Sequence, residues 1–228
     1  MTEKPKIYPL GDGAITIDFG NRISIDLNKK AIALASYFNQ HSFPGFIESV
    51  PAYTSVSIFF DVLSVRRNFS EFPTAFDAVC SFVYDALDRA SAITKTIEPR
   101  RMEIPVSFAD DDALDIDFLT KHSGLARTDL IDVFTSATYC VYMLGFLPGF
   151  AYMGEVDDRI AAPRRDSPRL KVPKGSVGIA GKQTGIYPLE SPGGWQIIGR
   201  SKVEMFSPNA AEPCFLRAGD EVRFVPAT

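Results

Sequence analysis

Apolar and polar positions change period several times along the first ~95 residues. Lys6–Phe19 reads as two short strands about the turn Gly11-Asp12-Gly13, ending in the alternation Ala14-Ile15-Thr16-Ile17-Asp18-Phe19. Asp26–Gln40 carries apolar residues at Leu27, Ala31, Leu34, Ala35 and Phe38, the stripe of a helix with one buried face. Ser49–Phe60 returns to a strand pattern with Val56, Ile58 and Phe60 on one side. Pro73–Ala92 predicts a second helix, with Phe76, Val79, Cys80, Val83, Tyr84 and Leu87 as its buried stripe. This alternation predicts an α+β sandwich of ferredoxin-like type over residues 1–95.

The polar segment Thr94–Arg101 marks the expected domain boundary, with a strand at Met102–Phe108 after it. An acidic stretch, Asp110–Asp117, leads into two short helices at about Ile116–His122 and Thr128–Ser136, the second with Thr128 as its expected N-cap. Beyond Tyr139 the pattern shortens. Ten of the sixteen glycines lie between Gly145 and Gly199, so helices of useful length are excluded there. Short apolar pieces at Ser176–Ala180, Gly185–Leu189, Trp195–Gly199 and Glu221–Val225 predict a β-barrel domain over residues 96–228.

Composition narrows the function classes. A net charge of −4 argues against a nucleic-acid binder, which needs a basic field. No apolar run approaches the ~20 residues that span a bilayer, and the first residues lack the apolar core of a secretory signal. Three dispersed cysteines suit a reducing, cytoplasmic compartment. Two histidines, His41 and His122, supply neither a zinc cluster nor a base near the glycine-rich segment.

Candidate chemistry concentrates in three stretches. In Leu144–Gly154, three glycines and a proline interleave with Phe146, Phe150 and Tyr152, which either fill the core or wall a pocket. Pro163–Lys174 holds five basic residues against one acid. It is either a solvated loop or an anion site, in which Arg164, Arg165 and Arg169 would offer bidentate forks. Gly175–Arg200 contains Gly181-Lys182, which resembles a phosphate-binding loop but has the wrong spacing and Gln183 in place of Ser/Thr. Ser191-Pro192-Gly193-Gly194-Trp195 is either a plain turn or an anion nest beside a stacking face.

Taken together, Gly145–Tyr152, Pro163-Arg164-Arg165, Val172–Val177, Ala180–Pro188 and Ser191–Arg200 resemble the KipI family, also called allophanate hydrolase subunit 1 or the 5-oxoprolinase B subunits. Gly11–Ala14, Val50–Tyr53 and Ala218–Phe224 extend the resemblance over nearly the whole chain. It implies a ferredoxin-like domain followed by a cyclophilin-like β-barrel. It also implies two 5-oxoprolinase partners, the C subunit (KipA) and the A subunit. Together these would open the cyclic amide 5-oxoproline to glutamate with ATP and magnesium, the lactam being activated by phosphorylation, and no biotin is expected on this chain. One branch of the family is instead associated with inhibition of a sporulation histidine kinase, and another with allophanate or urea-amide hydrolysis.

Motif position then assigns anion binding to Arg164 and Arg165, and polar orientation to Gln183, Thr184 and Tyr187. Ser191, Gly193, Gly194 and Trp195 are expected to form a pocket floor, and Arg200 to hold charge or structure. No residue stands out as a nucleophile. Two departures from the family pattern are Phe134, where many members carry His, and Ser107, where many carry Cys.

Overall fold

The computed structural model describes residues 4–93 and 98–227, so Thr94–Ile97 of the expected linker lie outside the described residues. The chain divides into two compact units, Met1–Glu98 and Pro99–Thr228. In the first unit the elements are β1 (Lys6–Pro9), β2 (Ala14–Asp18), α1 (Ile25–Gln40), β3 (Phe46–Pro51), β4 (Ser55–Phe60), α2 (Val62–Asn68) and α3 (Ala75–Ile93). The sheet order is β1-β2-β4-β3, antiparallel throughout. This is the ferredoxin-like sandwich with its outer strand supplied by the N-terminal β1 rather than by a strand after the last helix.

Strand alternation places Ile15, Ile17, Val56, Ile58 and Phe60 in the core, against Ala31, Leu34, Ala35 and Phe38 of α1. On the opposite face of the sheet, Thr16 and Ser57 share a hydrogen bond of 2.9 Å.

Two expectations are corrected in this unit. The strand expected over Ser49–Phe60 is a hairpin, broken where Ala52 N–H bonds to Ser55 O. Tyr84 is 61% exposed rather than buried. The stripe of α3 is centred on Ala75, Ala78, Val79, Val83 and Ala86, whose small side chains let α3 lie close against α1. Tyr84 falls well over a quarter-turn from that centre. The short α2, which the pattern did not suggest, is capped by Asp61, whose carboxylate accepts from Ser64 N–H at 2.6 Å.

The second unit comprises β5 (Arg101–Val106), α4 (Ile116–Ser123), α5 (Arg127–Ser136), β6 (Thr138–Leu144), β7 (Ala151–Gly154), β8 (Arg169–Val172), β9 (Ser176–Ala180), β10 (Gln183–Ile186), β11 (Ser191–Gly193), β12 (Gln196–Arg200) and β13 (Glu221–Pro226). Seven strands run in the order β12-β9-β10-β7-β6-β13-β5, and β8 pairs with β11 separately. Immediately beyond β5, Ser107 bridges Arg200 at the end of β12, through Ser107 N–H to Arg200 O (2.8 Å) and Arg200 N–H to Ser107 O (2.9 Å). That bridge brings the two outer strands together and makes the sheet a barrel. Gly199 permits the approach: a Cβ there would meet Val106 Cγ1 at 2.6 Å and Ser107 O at 2.8 Å.

Helix α5 starts at Arg127 with Ala126 at its N-cap and no side-chain cap, so Thr128 does not serve as expected. The helix is held instead by burial. Phe134 is fully buried, stacks on Phe224 (5.0 Å between centroids, 14°) and touches Tyr139 (5.3 Å), whose hydroxyl donates to Phe134 O at 2.8 Å. Asp220 is buried and accepts both forks of Arg100, at 2.8 and 2.6 Å, and Arg217 N–H at 2.8 Å. This gives the Ala218–Phe224 motif a structural reason.

The Phe134 departure is therefore a packing matter. Phe134→Ala is expected to cost about 3–5 kcal/mol in urea unfolding. Phe134→His would bury a ring nitrogen among aromatic carbons and is expected to cost about 1–3 kcal/mol. A Phe134→His chain as stable as the parent would show that a polar partner is within reach at this position.

Candidate functional site

The loop between β7 and β8 and the first residue of β8 carry the arginines, and a single buried carboxylate governs them. Asp115, 5% exposed, stands at the N-cap position of α4 but does not cap it. Its carboxylate turns to Arg165 (Nη1 to Oδ1, 2.7 Å) and to Arg169 (Nη1 to Oδ2, 2.7 Å; Nη2 to Oδ1, 2.8 Å). Ile197 N–H on β12 donates to Oδ2 at 2.7 Å, and Asp115 N–H returns a bond to Ile197 O at 2.9 Å. Arg165 and Arg169, offered by the sequence as anion forks, are thus already engaged by a carboxylate of the chain itself. Lys171 pairs with Glu190 and Lys174 with Glu204.

Arg164 differs. It is exposed and, among the described residues, has neither an ion pair nor a hydrogen bond from its side chain. Its backbone is nonetheless held on both sides: Gln196 Nε2 donates to Pro163 O at 3.1 Å, and Arg165 N–H donates to Gly194 O at 2.7 Å. The positive charge of Arg164 is felt by two phenols, Tyr152 and Tyr187.

Those phenols belong to an aromatic cluster. Phe150 meets Tyr187 (5.2 Å), Trp195 (5.5 Å) and Tyr152 (4.8 Å) edge to face, with Val172, Ala180 and Ile197 behind them. The interleaved aromatics of Leu144–Gly154 therefore divide. Phe150 is core, whereas Phe146 is 61% exposed and holds a φ of 68°, a left-handed conformation rare for a bulky residue. Phe146 packs edge-on against Phe150 at 5.6 Å, and Leu170 on β8 is also exposed. Burial raises the Tyr187 phenol, and a backbone hydrogen bond from Trp195 and the charge of Arg164 oppose it; burial likewise raises Tyr152. Both are neutral hydroxyls near pH 7.

The remaining candidates sort by position. Tyr187, Gly193, Gly194 and Trp195 come together with Arg164. Gly193 is required by close approach, since a Cβ there would fall into the Tyr187 hydroxyl. Neither Gly193 nor Gly194 adopts a positive φ, and Gly193 is a strand residue, so the pair is not folded as an anion nest. Trp195 is buried and packs perpendicular to Phe150. Ser191 Oγ donates locally to Pro192 O at 3.2 Å. Thr184 is interior, its hydroxyl donating to Gly178 O at 2.9 Å, and half-buried Gln183 pairs with Gly154 at the start of β10. Arg200 donates to Lys174 O at 2.8 Å and lies at the barrel closure. Gly181-Lys182 forms the β9–β10 turn, with Lys182 bound to Asp158 at 2.6 Å.

Two residues in this arrangement are not marked by the sequence. Asp115 is one acid among several there, and its only local signal is a position ahead of an apolar helix. Gln196 looks like a strand residue.

Replacing the central carboxylate tests the clamp. Asp115→Asn would leave two partly buried guanidinium groups facing a neutral amide and is expected to cost about 3 kcal/mol, measured as a fall in urea midpoint at unchanged slope. Little loss of stability would mean that the loop is held by its backbone bonds alone.

The geometry now has a context among known proteins. Residues 5–216 match the family described as carboxyltransferase domain, subdomain C and D. The chain is 42% identical to the 5-oxoprolinase B subunit of Bacillus subtilis strain 168, over 99% of this chain and 94% of that protein. It is 34% identical to the 5-oxoprolinase B subunit of Escherichia coli O157:H7, over 98% of this chain and 97% of that one. The crystal structure of TTHA0988 superposes with a TM-score of 0.76 at 34% identity, covering 94% of this chain, which spans 39% of that longer protein. A family match over nearly all of its length, together with full-length relatives well above 30% identity, places this chain in the carboxyltransferase subdomain C and D family, alongside the 5-oxoprolinase B subunits.

Proposed function

We propose that this chain is the B subunit of an ATP-dependent 5-oxoprolinase, opening 5-oxoproline to glutamate together with the A and C subunits, the latter of the KipA type. The observation that carries the reading is identity running end to end with 5-oxoprolinase B subunits from two bacteria. The site supports it chemically. 5-Oxoproline is a small planar amide ring bearing a carboxylate. An unpaired guanidinium on a pinned loop, next to aromatic edges and neutral phenols, suits such a molecule.

In this reading the lactam oxygen attacks the γ-phosphorus of ATP and ADP leaves; one water then adds to the activated ring carbon and the C–N bond breaks to give an acyl phosphate, and a second water releases phosphate to leave glutamate. The part of this chain is to hold the carboxylate with Arg164 and the ring against Tyr152 and Tyr187. Among the described residues no group of three or more His, Cys, Asp or Glu side chains is arranged to hold a metal ion. Magnesium is assigned to the nucleotide, bound with the partner subunit. The exposed Phe146 and Leu170 support a heteromeric assembly, because apolar side chains beside a polar site are commonly covered in the working complex. No helix among the described residues is long and apolar enough to cross a membrane, and we place the complex in the cytoplasm.

The test is ATP-dependent glutamate release from 5-oxoproline by the complete heteromer of three subunits, each omitted in turn. Turnover is expected to vanish without this chain, and turnover that persists in its absence would defeat the proposal. In the complete heteromer, Arg164→Ala is expected to raise KM for 5-oxoproline by about ten- to a hundredfold, the size of one charge-assisted hydrogen bond. An unchanged KM would remove Arg164 from the site.

A further inference from the structure

Phe146 stands in the connection between β6 and β7, and the backbone holds it there tightly. Leu147 N–H donates to Gly145 O at 2.8 Å, two residues back, which closes a γ-turn with Phe146 at its apex. The base of the turn is tied by Gly145 N–H to Phe150 O (3.1 Å) and by Phe150 N–H to Leu147 O (3.0 Å). Gly149, with a φ of 81°, lies so close to the 205–206 segment that a Cβ would meet Met205 O and Phe206 Cβ, each at 2.8 Å.

Among the described residues Phe146 is the only non-glycine with a positive φ, whereas eight glycines take one. A phenylalanine there is unfavourable twice over. Its Cβ crowds the backbone in the left-handed region, and its ring is 61% exposed. Glycine or asparagine would serve the turn without either cost. Phe150 is the one ring it meets among the described residues, edge-on at 5.6 Å, and Phe150 stands between it and the phenols of Tyr152 and Tyr187. The contacts Phe146 makes within its own chain therefore recover little of what its conformation and exposure cost.

A partner would recover the rest, and the lengths of the relatives say which. In TTHA0988 the counterpart of this chain is 39% of one polypeptide, tied by the backbone to a larger remainder. The 5-oxoprolinase B subunits of Bacillus subtilis and Escherichia coli, matched over 94% and 97% of their own length, lack such a remainder. A subunit of that size holds its larger partner by surface contact alone. We infer that Phe146 is a preformed aromatic anchor of the subunit interface, its ring entering an apolar pocket on the C subunit when the heteromer assembles. This rests on the heteromer proposed above and adds to it the residue that carries the contact. A ring already fixed by a locked turn loses little freedom on docking, the property that makes a single aromatic side chain dominate an interface.

The experiment measures two quantities on the full chain, its Kd for the purified C subunit by calorimetry and its urea midpoint alone. Phe146→Asn, which suits the left-handed turn and removes the apolar ring, is expected to raise Kd about thirtyfold or more. The urea midpoint of the same variant is expected to stay level or rise, because strain and exposed apolar surface leave together. Phe146→Gly is expected to match it in Kd. An unchanged Kd in both variants would overturn the inference. A Kd that rises together with a clear fall in urea midpoint, or a variant that fails to fold, would overturn it too, by showing that the ring supports Phe150 rather than a partner. A KM for 5-oxoproline that rises at saturating C subunit, with Kd unchanged, would move Phe146 to the ligand site and overturn it likewise. Failure of the parent heteromer to turn over 5-oxoproline is a failure of the proposed function and is read separately, since the Kd comparison needs no substrate.

Discussion

One carboxylate organises the second unit around its site. Asp115 accepts from Arg165 in the loop before β8, from Arg169 at the start of β8 and from the backbone of β12, and it returns its own N–H to the same strand residue, Ile197. Removing such a charge from water is unfavourable by itself, and pairing with two guanidinium groups mainly offsets that cost. What the cluster adds is registry. The start of α4, the arginine loop and β12 cannot slide past one another without exposing an unpaired buried charge.

That constraint decides what the arginines are for. A run of basic residues in a chain of net negative charge looks like a ligand site, yet most of this run is consumed by acids of the same chain, Asp115, Glu190 and Glu204. The residue left over, Arg164, is bracketed by the anchored Pro163 carbonyl and Arg165 N–H, so its charge is mobile only beyond a fixed Cα. Fixing the base of a long side chain lowers the entropy lost when it closes on an anion.

A second division runs through the glycine-rich motifs. Gly199 and Arg200 make the barrel close against Ser107, and Gly193 makes room for the Tyr187 ring. Their place in a long motif reflects close backbone and ring packing as much as ligand chemistry. The two departures from the family pattern fall on the same side of that division. Ser107 acts through its backbone at the closure, and Phe134 through its ring in the core behind β13.

Periodicity alone determined much of the fold. Ile15 and Ile17, Val56 to Phe60, and the stripe of α1 alternate strongly enough to announce their buried faces, because burying one face of a strand or helix leaves a short-range imprint. Where the imprint is ambiguous the reading slips: Tyr84 is apolar enough to pass for core but points outward, and Ala52–Thr54 turns a run that looks continuous. The aromatic and glycine motifs located the region of the site, and the resemblance they carry located the family. Only the tertiary structure could say which arginine is unpaired, since Asp115 stands 50 residues before Arg165 and nothing local couples them. The same holds for Gln196: whether its two amide ends are satisfied depends on a loop more than thirty residues away, and a hydrogen bond closed over that distance leaves no periodic trace in the chain.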